Sequence, residues 1–330
     1  MNITANSTDV KNILLKNNSG LELSILNYGA TIQSLKVPSK NGSKVNVVAG
    51  LYKPEDYTKD LYKKHNICLG ASIGRYAGRV SGGKFTIHDK VYSLPVKNGL
   101  HLHGGNEGFD KKIWNIDTIS DDQNSVTLSY ESKHLEEGYP GNLKVSVTYT
   151  LVDFNVDITY KATTDKSTVI NLANHAYFNL DGQGTILNHE LQINNTHHLE
   201  VDSNLFPTGK VLPSKQTRFD YSKSSVINRK DFKGFDDTFV LGDEELAAIL
   251  TSKVTGIEMR VTTNQPALVI YTKDKFPTIP LSANYMDYPA ICFEAQNFPD
   301  APNNKNFPSC LLNPEETYEN KTRFSFSINE

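Results

Sequence analysis

Three observations predict that this chain of 330 residues is all-β, a large antiparallel β-sandwich with few short helices. Hydrophobic and polar residues alternate strictly over long stretches. Short apolar runs recur between clusters of turn residues. Helical signals are weak throughout.

The elements follow in chain order. Short strands are predicted at 21–26, 84–88 and 91–94, then at 125–130. A short surface helix is expected from Pro54 to His65, because Pro suits a first turn and Glu55 and Asp56 suit its dipole. The strongest pattern runs over 144–151, where Val145, Val147, Tyr149 and Leu151 alternate with Lys144, Ser146, Thr148 and Thr150. Val156, Ile158 and Tyr160 continue it, and the break near Asp153 predicts a hairpin turn. Strict alternation puts one face in the core and one in water, as in an antiparallel sheet. Further strands are predicted at 190–193, 257–263, 267–272 and 323–328, with a second helix at Asp243–Leu250. Lys40-Asn41-Gly42 and Asn264-Gln265-Pro266 mark turns. No linker or fixed repeat divides the chain, so one domain spanning 1–330 is expected.

Composition excludes several classes of function. The 34 basic and 37 acidic residues nearly balance, which gives no footprint for nucleic acid or an anionic membrane. No apolar run approaches the ~20 residues of a membrane span. The opening residues MNITANSTDVKN lack the apolar stretch of a signal peptide. Cys68, Cys292 and Cys310 are odd in number and widely spaced, so a reducing cytosol is expected rather than a disulfide framework. Triplets such as Asn320-Lys-Thr322 are then chance matches to a glycosylation signal. Neither a Gly-rich phosphate loop nor a Gly-x-Ser-x-Gly elbow occurs, and no further basic cluster marks a phosphate site.

Some segments carry polar residues that a strand does not need. Arg75 and Arg79 sit in Gly74-Arg75-Tyr76-Ala77-Gly78-Arg79, and either is compatible with a plain surface cation. His101 and His103 are two apart, which places them on one strand face. They could start a metal site with His175 or His197-His198, but zinc wants three or four ligands and no cluster has ligand spacing. His175 lies among apolar and amide residues, as a satisfied core histidine would. Asp236 and Asp237 could shape a turn. Glu294 is the least ordinary, since it follows Ile291-Cys292-Phe293 and an unpaired buried charge is costly. A salt bridge to Arg75 or Arg79 would account for it structurally.

Taken together, these segments resemble the aldose 1-epimerase (galactose mutarotase) family. The matching stretches are GASIGRYAGRV (70–80), LHGG with GFDKKIW (102–105 and 108–114), NLANHAYFNLDG (171–182), GFDDTF (234–239) and FEAQNFPDAPNNKNFPS (293–309). PEETY (314–318) also fits. The resemblance implies a large, twisted antiparallel β-sandwich and mutarotation without metal or organic cofactor. It assigns Glu294 as catalytic base and His175 as catalytic acid, with Arg79, His103 and Asp236 on the sugar's oxygens. One position departs, since many members have His where this chain has Asp237.

The implied chemistry suits these residue types. Opening a hemiacetal ring removes a proton from O1 and delivers one to the ring oxygen. A carboxylate and an imidazolium can do both, and histidine's ordinary pKa of ~6.5 lies near neutral pH. Tyr177 or Phe178 is a candidate to pack on the sugar's C–H face. The expected partner is a free monosaccharide such as galactose or glucose, acted on by a monomer or weak dimer in the cytoplasm. Two other readings stand beside this one. A non-catalytic carbohydrate-binding protein would have lost the acid or the base. A glycoside hydrolase would use Glu294 and Asp236 as its carboxylate pair.

Overall fold

Strands make up 47% of the chain and helices 7%, in a computed structural model that describes residues 9–97 and 99–329. Residues 1–8, which bear on the leader expectation, lie outside the described residues. Among the described residues no helix is long and apolar enough to cross a membrane.

The alternating segments form the backbone of a nine-stranded sheet. Leu143–Val152 and Asn155–Thr164 pair antiparallel in full register, with Val152 opposite Asn155 across the turn at Asp153. Val145, Val147, Tyr149 and Leu151 are buried, as the pattern requires. The sheet runs Asn115–Ile119, Ser125–Ser132, Leu143–Val152, Asn155–Thr164, Tyr318–Ile328, Ile257–Thr263, Leu246–Thr251, Glu190–Ile193 and Ser225–Val226. A six-stranded sheet runs Tyr177–Phe178, Ile291–Gln296, Ala267–Thr272, Asp236–Leu241, Asn195–Val201 and Pro207–Pro213. A four-stranded sheet, Asn12–Lys16 through Lys44–Asn46, completes the main layers. All three feed one apolar core. Ile25 and Leu35, Val147 and Ile158, and Phe239, Ile270 and Phe293 belong to the same cluster.

Two sequence expectations need correction. The segment predicted as a helix at Asp243–Leu250 contains the strand Leu246–Thr251, paired with Glu190–Ile193 and Ile257–Thr263. Its Ala247, Ala248 and Leu250 are good helix formers, but burial in the shared core overrides that preference. The helix predicted over Pro54–His65 is broken into a 3₁₀ turn, Pro54–Thr58, and an α-turn, Asp60–His65. Lys59 between them is extended, at φ −76° and ψ 149°.

Candidate active site

The strand Ile291–Gln296 is buried on both faces. Ile291, Phe293 and Ala295 enter the core, so the period of two sends Cys292, Glu294 and Gln296 the other way. Glu294 and Gln296 line a cavity of about 220 Å³. Glu294 is only 2% exposed, which makes it a carboxyl group removed from water. Burial pushes its pKa up to about 8, helped by the charge of Asp236 and opposed by Arg79.

His175 approaches from the link between the short strands Ala173–Asn174 and Tyr177–Phe178. Its backbone is clamped: the amide donates to the Ala71 carbonyl at 2.9 Å, and the carbonyl accepts from the Gly70 amide at 3.0 Å. Asn174 completes the turn by donating to the Gly70 carbonyl and accepting from the Ala176 amide. The ring stacks on Tyr177 at 5.0 Å and presents Nε2 to Glu294 Oε1 at 3.5 Å. Burial lowers the His175 pKa to about 4, with Asp236 pulling upward. The imidazolium expected from histidine's ordinary pKa is thus not the form that this buried site favours. Near neutral pH the pair holds one proton, and burial places it on Glu294.

His103 meets the His175 ring edge-on at 5.5 Å. The expectation that His101 and His103 share a strand face does not hold. The strand ends at Leu102, and His103 turns away at φ 52°. His101 is buried against the Tyr139 hydroxyl and the Pro95 carbonyl, away from the cavity. The Gly78 amide donates to His103 Nδ1 at 3.3 Å, which leaves the proton of a neutral ring on Nε2. Burial lowers the His103 pKa well below its usual value, and nearby His175 and Arg79 add to this. Gly104 at φ 84° completes the turn, and a Cβ there would collide with the Gly74 carbonyl.

Arg79 and Asp236 form a two-pronged pair, Nη2 to Oδ2 at 2.9 Å and Nη1 to Oδ1 at 3.4 Å. The salt bridge that could have explained Glu294 is therefore made by Asp236 instead. Arg75 is no surface cation. It is buried and donates to the carbonyls of Pro140, Gly141 and Ser132. Asp237 points away from the cavity to Arg218, at 2.7 Å. Of the two candidate aromatics, Tyr177 lines the cavity while Phe178 packs on Phe293 and Phe324 in the core. Tyr271, Val269 and Gln296 also line the cavity and were not singled out by sequence. Counting by twos from Glu294 would have found Gln296. A larger adjoining groove shares Asn66, Cys68 and His103 with the cavity. There Lys63, Lys64, Lys97 and Lys111 gather, a basic grouping that the linear sequence hides, with Glu107 and Asp110 among them.

The cavity is small beside the ~300–1,000 Å³ typical of drug-sized ligands. Its walls mix charged groups with aromatic and aliphatic surface, as a single sugar ring requires. The family model for aldose 1-epimerase matches residues 11–325. The chain belongs to the aldose 1-epimerase family. It is an isomerase that interconverts the anomers of aldoses. An aldose 1-epimerase of Escherichia coli K12 is 34% identical over 95% of this chain and 94% of its own. A galactose mutarotase of Homo sapiens is 39% identical over 93% and 92%. The fold of the enzyme matches an aldose epimerase homologue from C. elegans with a TM-score of 0.90, at 28% identity over 98% of this chain and all of that one. A galactose 1-epimerase from Lactobacillus acidophilus gives 0.87, at 30% identity over 99% and 97%.

Proposed function

We propose that Glu294 is the general base and His175 the general acid of anomer exchange on free aldohexoses such as galactose and glucose. Arg79, His103 and Asp236 hold the sugar's hydroxyls, and Tyr177 packs near its C–H face. One observation carries this reading: a buried carboxyl and a buried imidazole, 3.5 Å apart on a sugar-sized cavity, with pKa values displaced in opposite directions.

The reacting form has the pair's single proton on His175. Glu294 takes the O1 proton while His175 gives its proton to the ring oxygen, and the C1–O5 bond opens. Rotation about C1–C2 exposes the other aldehyde face. Closure returns the proton from O5 to His175 and one from Glu294 to O1. The two proton transfers balance between Glu294, His175 and the sugar, and no electrons leave it, so the proposed cycle calls on no redox cofactor. A glycoside hydrolase is disfavoured, because Asp236 is held by Arg79 while a histidine faces Glu294. The same reading has the protein working as one domain, monomeric or weakly dimeric, in the cytoplasm. The shared core supports the single domain, and the three buried free cysteines suit a reducing compartment.

The test is polarimetry of freshly dissolved α-galactose. Wild type accelerates the approach to equilibrium, and Glu294→Ala and His175→Ala each lose about 10²–10⁴-fold while keeping native circular dichroism. A fully active Glu294→Ala would overturn the base assignment. A wild type that only matches the spontaneous rate with every common aldose would overturn the substrate class.

A further inference from the structure

Cys292 lies two residues before Glu294 on the same strand face, and its Sγ is 3.5 Å from His175 Nδ1. One strand thus meets both nitrogens of the same ring, Nδ1 through residue 292 and Nε2 through residue 294. The ring also bonds its own backbone, which favours the charged form. Resting on the acid–base assignment above, we infer that Cys292 is a positioning residue that holds the His175 ring so that Nε2 faces the sugar's ring oxygen in both protonation states.

The chemistry favours a thiol here. The catalytic ring alternates between neutral and protonated. Donation to the sugar strips Nε2, so Nδ1 keeps its proton in both forms and needs an acceptor in each. A carboxylate accepting from Nδ1–H would add a full charge and strongly favour the imidazolium. A thiol sulfur is neutral and accepts only weakly. It therefore fixes the ring's direction without strongly favouring either state. Cys292 is fully buried and its thiol is pushed well above its ordinary pKa by burial, so it stays an S–H rather than a thiolate. Besides its own backbone, the other groups facing the ring meet it in other ways. Tyr177 stacks on it, Tyr271 and His103 meet it edge-on, Glu294 lies at Nε2, and Asp236 acts on it through its charge.

The experiment compares Cys292→Ala and Cys292→Ser with wild type, with His175→Ala as reference. Cys292→Ala is expected to lower kcat about 10–100-fold through misplacement of the ring, with KM little changed. Cys292→Ser keeps a group that donates and accepts, and restores kcat to within a few-fold of wild type. The serine hydroxyl also stabilises the imidazolium better than a thiol, so the acid limb of its pH profile moves to higher pH. Nitrogen NMR of His175 shows one fixed tautomer in wild type and Cys292→Ser, and a mixture in Cys292→Ala. If Cys292→Ala keeps wild-type kcat, pH limbs and tautomer while His175→Ala is inactive, the inference fails and the acid assignment stands. If His175→Ala is itself active, the acid assignment fails first.

Discussion

Replacing Glu294 by glutamine should stabilise the protein while destroying its activity, and the gain should grow with pH. The carboxyl keeps its proton to about pH 8 in the fold, against about 4.5 when free. Below pH 4.5 it is neutral folded and unfolded, and costs nothing. Between these values the unfolded chain releases the proton and the folded chain does not. Stability therefore falls as pH rises, by 1.36 kcal/mol per pH unit. Over about 3.5 pH units the loss reaches about 4–5 kcal/mol, complete above pH 8. Against a typical total of about 5–15 kcal/mol this is a large fraction. Glutamine is nearly isosteric and neutral at every pH, so it escapes the loss. Urea unfolding of both proteins at pH 5 and pH 8.5 tests this. The variant should gain under about 1 kcal/mol at the lower pH and several at the higher. His175 titrates near pH 4 in the fold, below both conditions, and its unfolded-state titration is common to both proteins. A gap that does not widen with pH would refute the claim that burial holds Glu294 protonated.

The pH–rate profile of kcat/KM should be bell-shaped, with an acid limb near 4 and an alkaline limb near 8. Two protons on the pair remove the base and none removes the acid, so a single limb near 6.5 would contradict the assignment. Arg79→Ala should raise KM and move the alkaline limb upward, because Arg79 lowers the Glu294 pKa and Asp236 raises it; an unmoved limb would count against that coupling. Arg218→Ala strips Asp237 of its partner and should cost about 1–3 kcal/mol by urea unfolding, with little effect on activity. Leu191→Ala, in the heart of the core, should cost about 2–5 kcal/mol without altering the pH limbs.

What the sequence revealed depended on how directly each residue's surroundings are written next to it. The hairpin Leu143–Val152/Asn155–Thr164 was legible because each strand alternates and its partner lies two residues away. The strand Leu246–Thr251 was not, because Leu-Ala-Ala-Ile-Leu reads equally as a helix and its partners are distant in sequence. Glu294 stood out as a carboxylate in an apolar strand. Arg75 and Arg79 looked alike in one short motif, yet one anchors loop carbonyls and the other pairs with Asp236. Only the fold, which brings residues 132, 140 and 141 to one arginine and residue 236 to the other, separates them. Cys292 and Gln296 were missed because a buried cysteine or amide beside Phe and Ala looks like ordinary core.

The strand Ile291–Gln296 pairs along its whole length with Ala267–Thr272, meets Tyr177–Phe178 at its first two residues, and is packed on both faces. The backbone amide of Glu294 can exchange with solvent only when that sheet opens, so its hydrogen exchange should follow the most protected class in the molecule. The consequence is dynamic. The base cannot swing aside in a local fluctuation, and heating offers no stage in which the fold persists while Glu294 wanders. Loss of activity and loss of structure should coincide in temperature, and adaptation to new sugars falls to the surrounding loops, such as the hairpin turn around Leu205 at the cavity's edge.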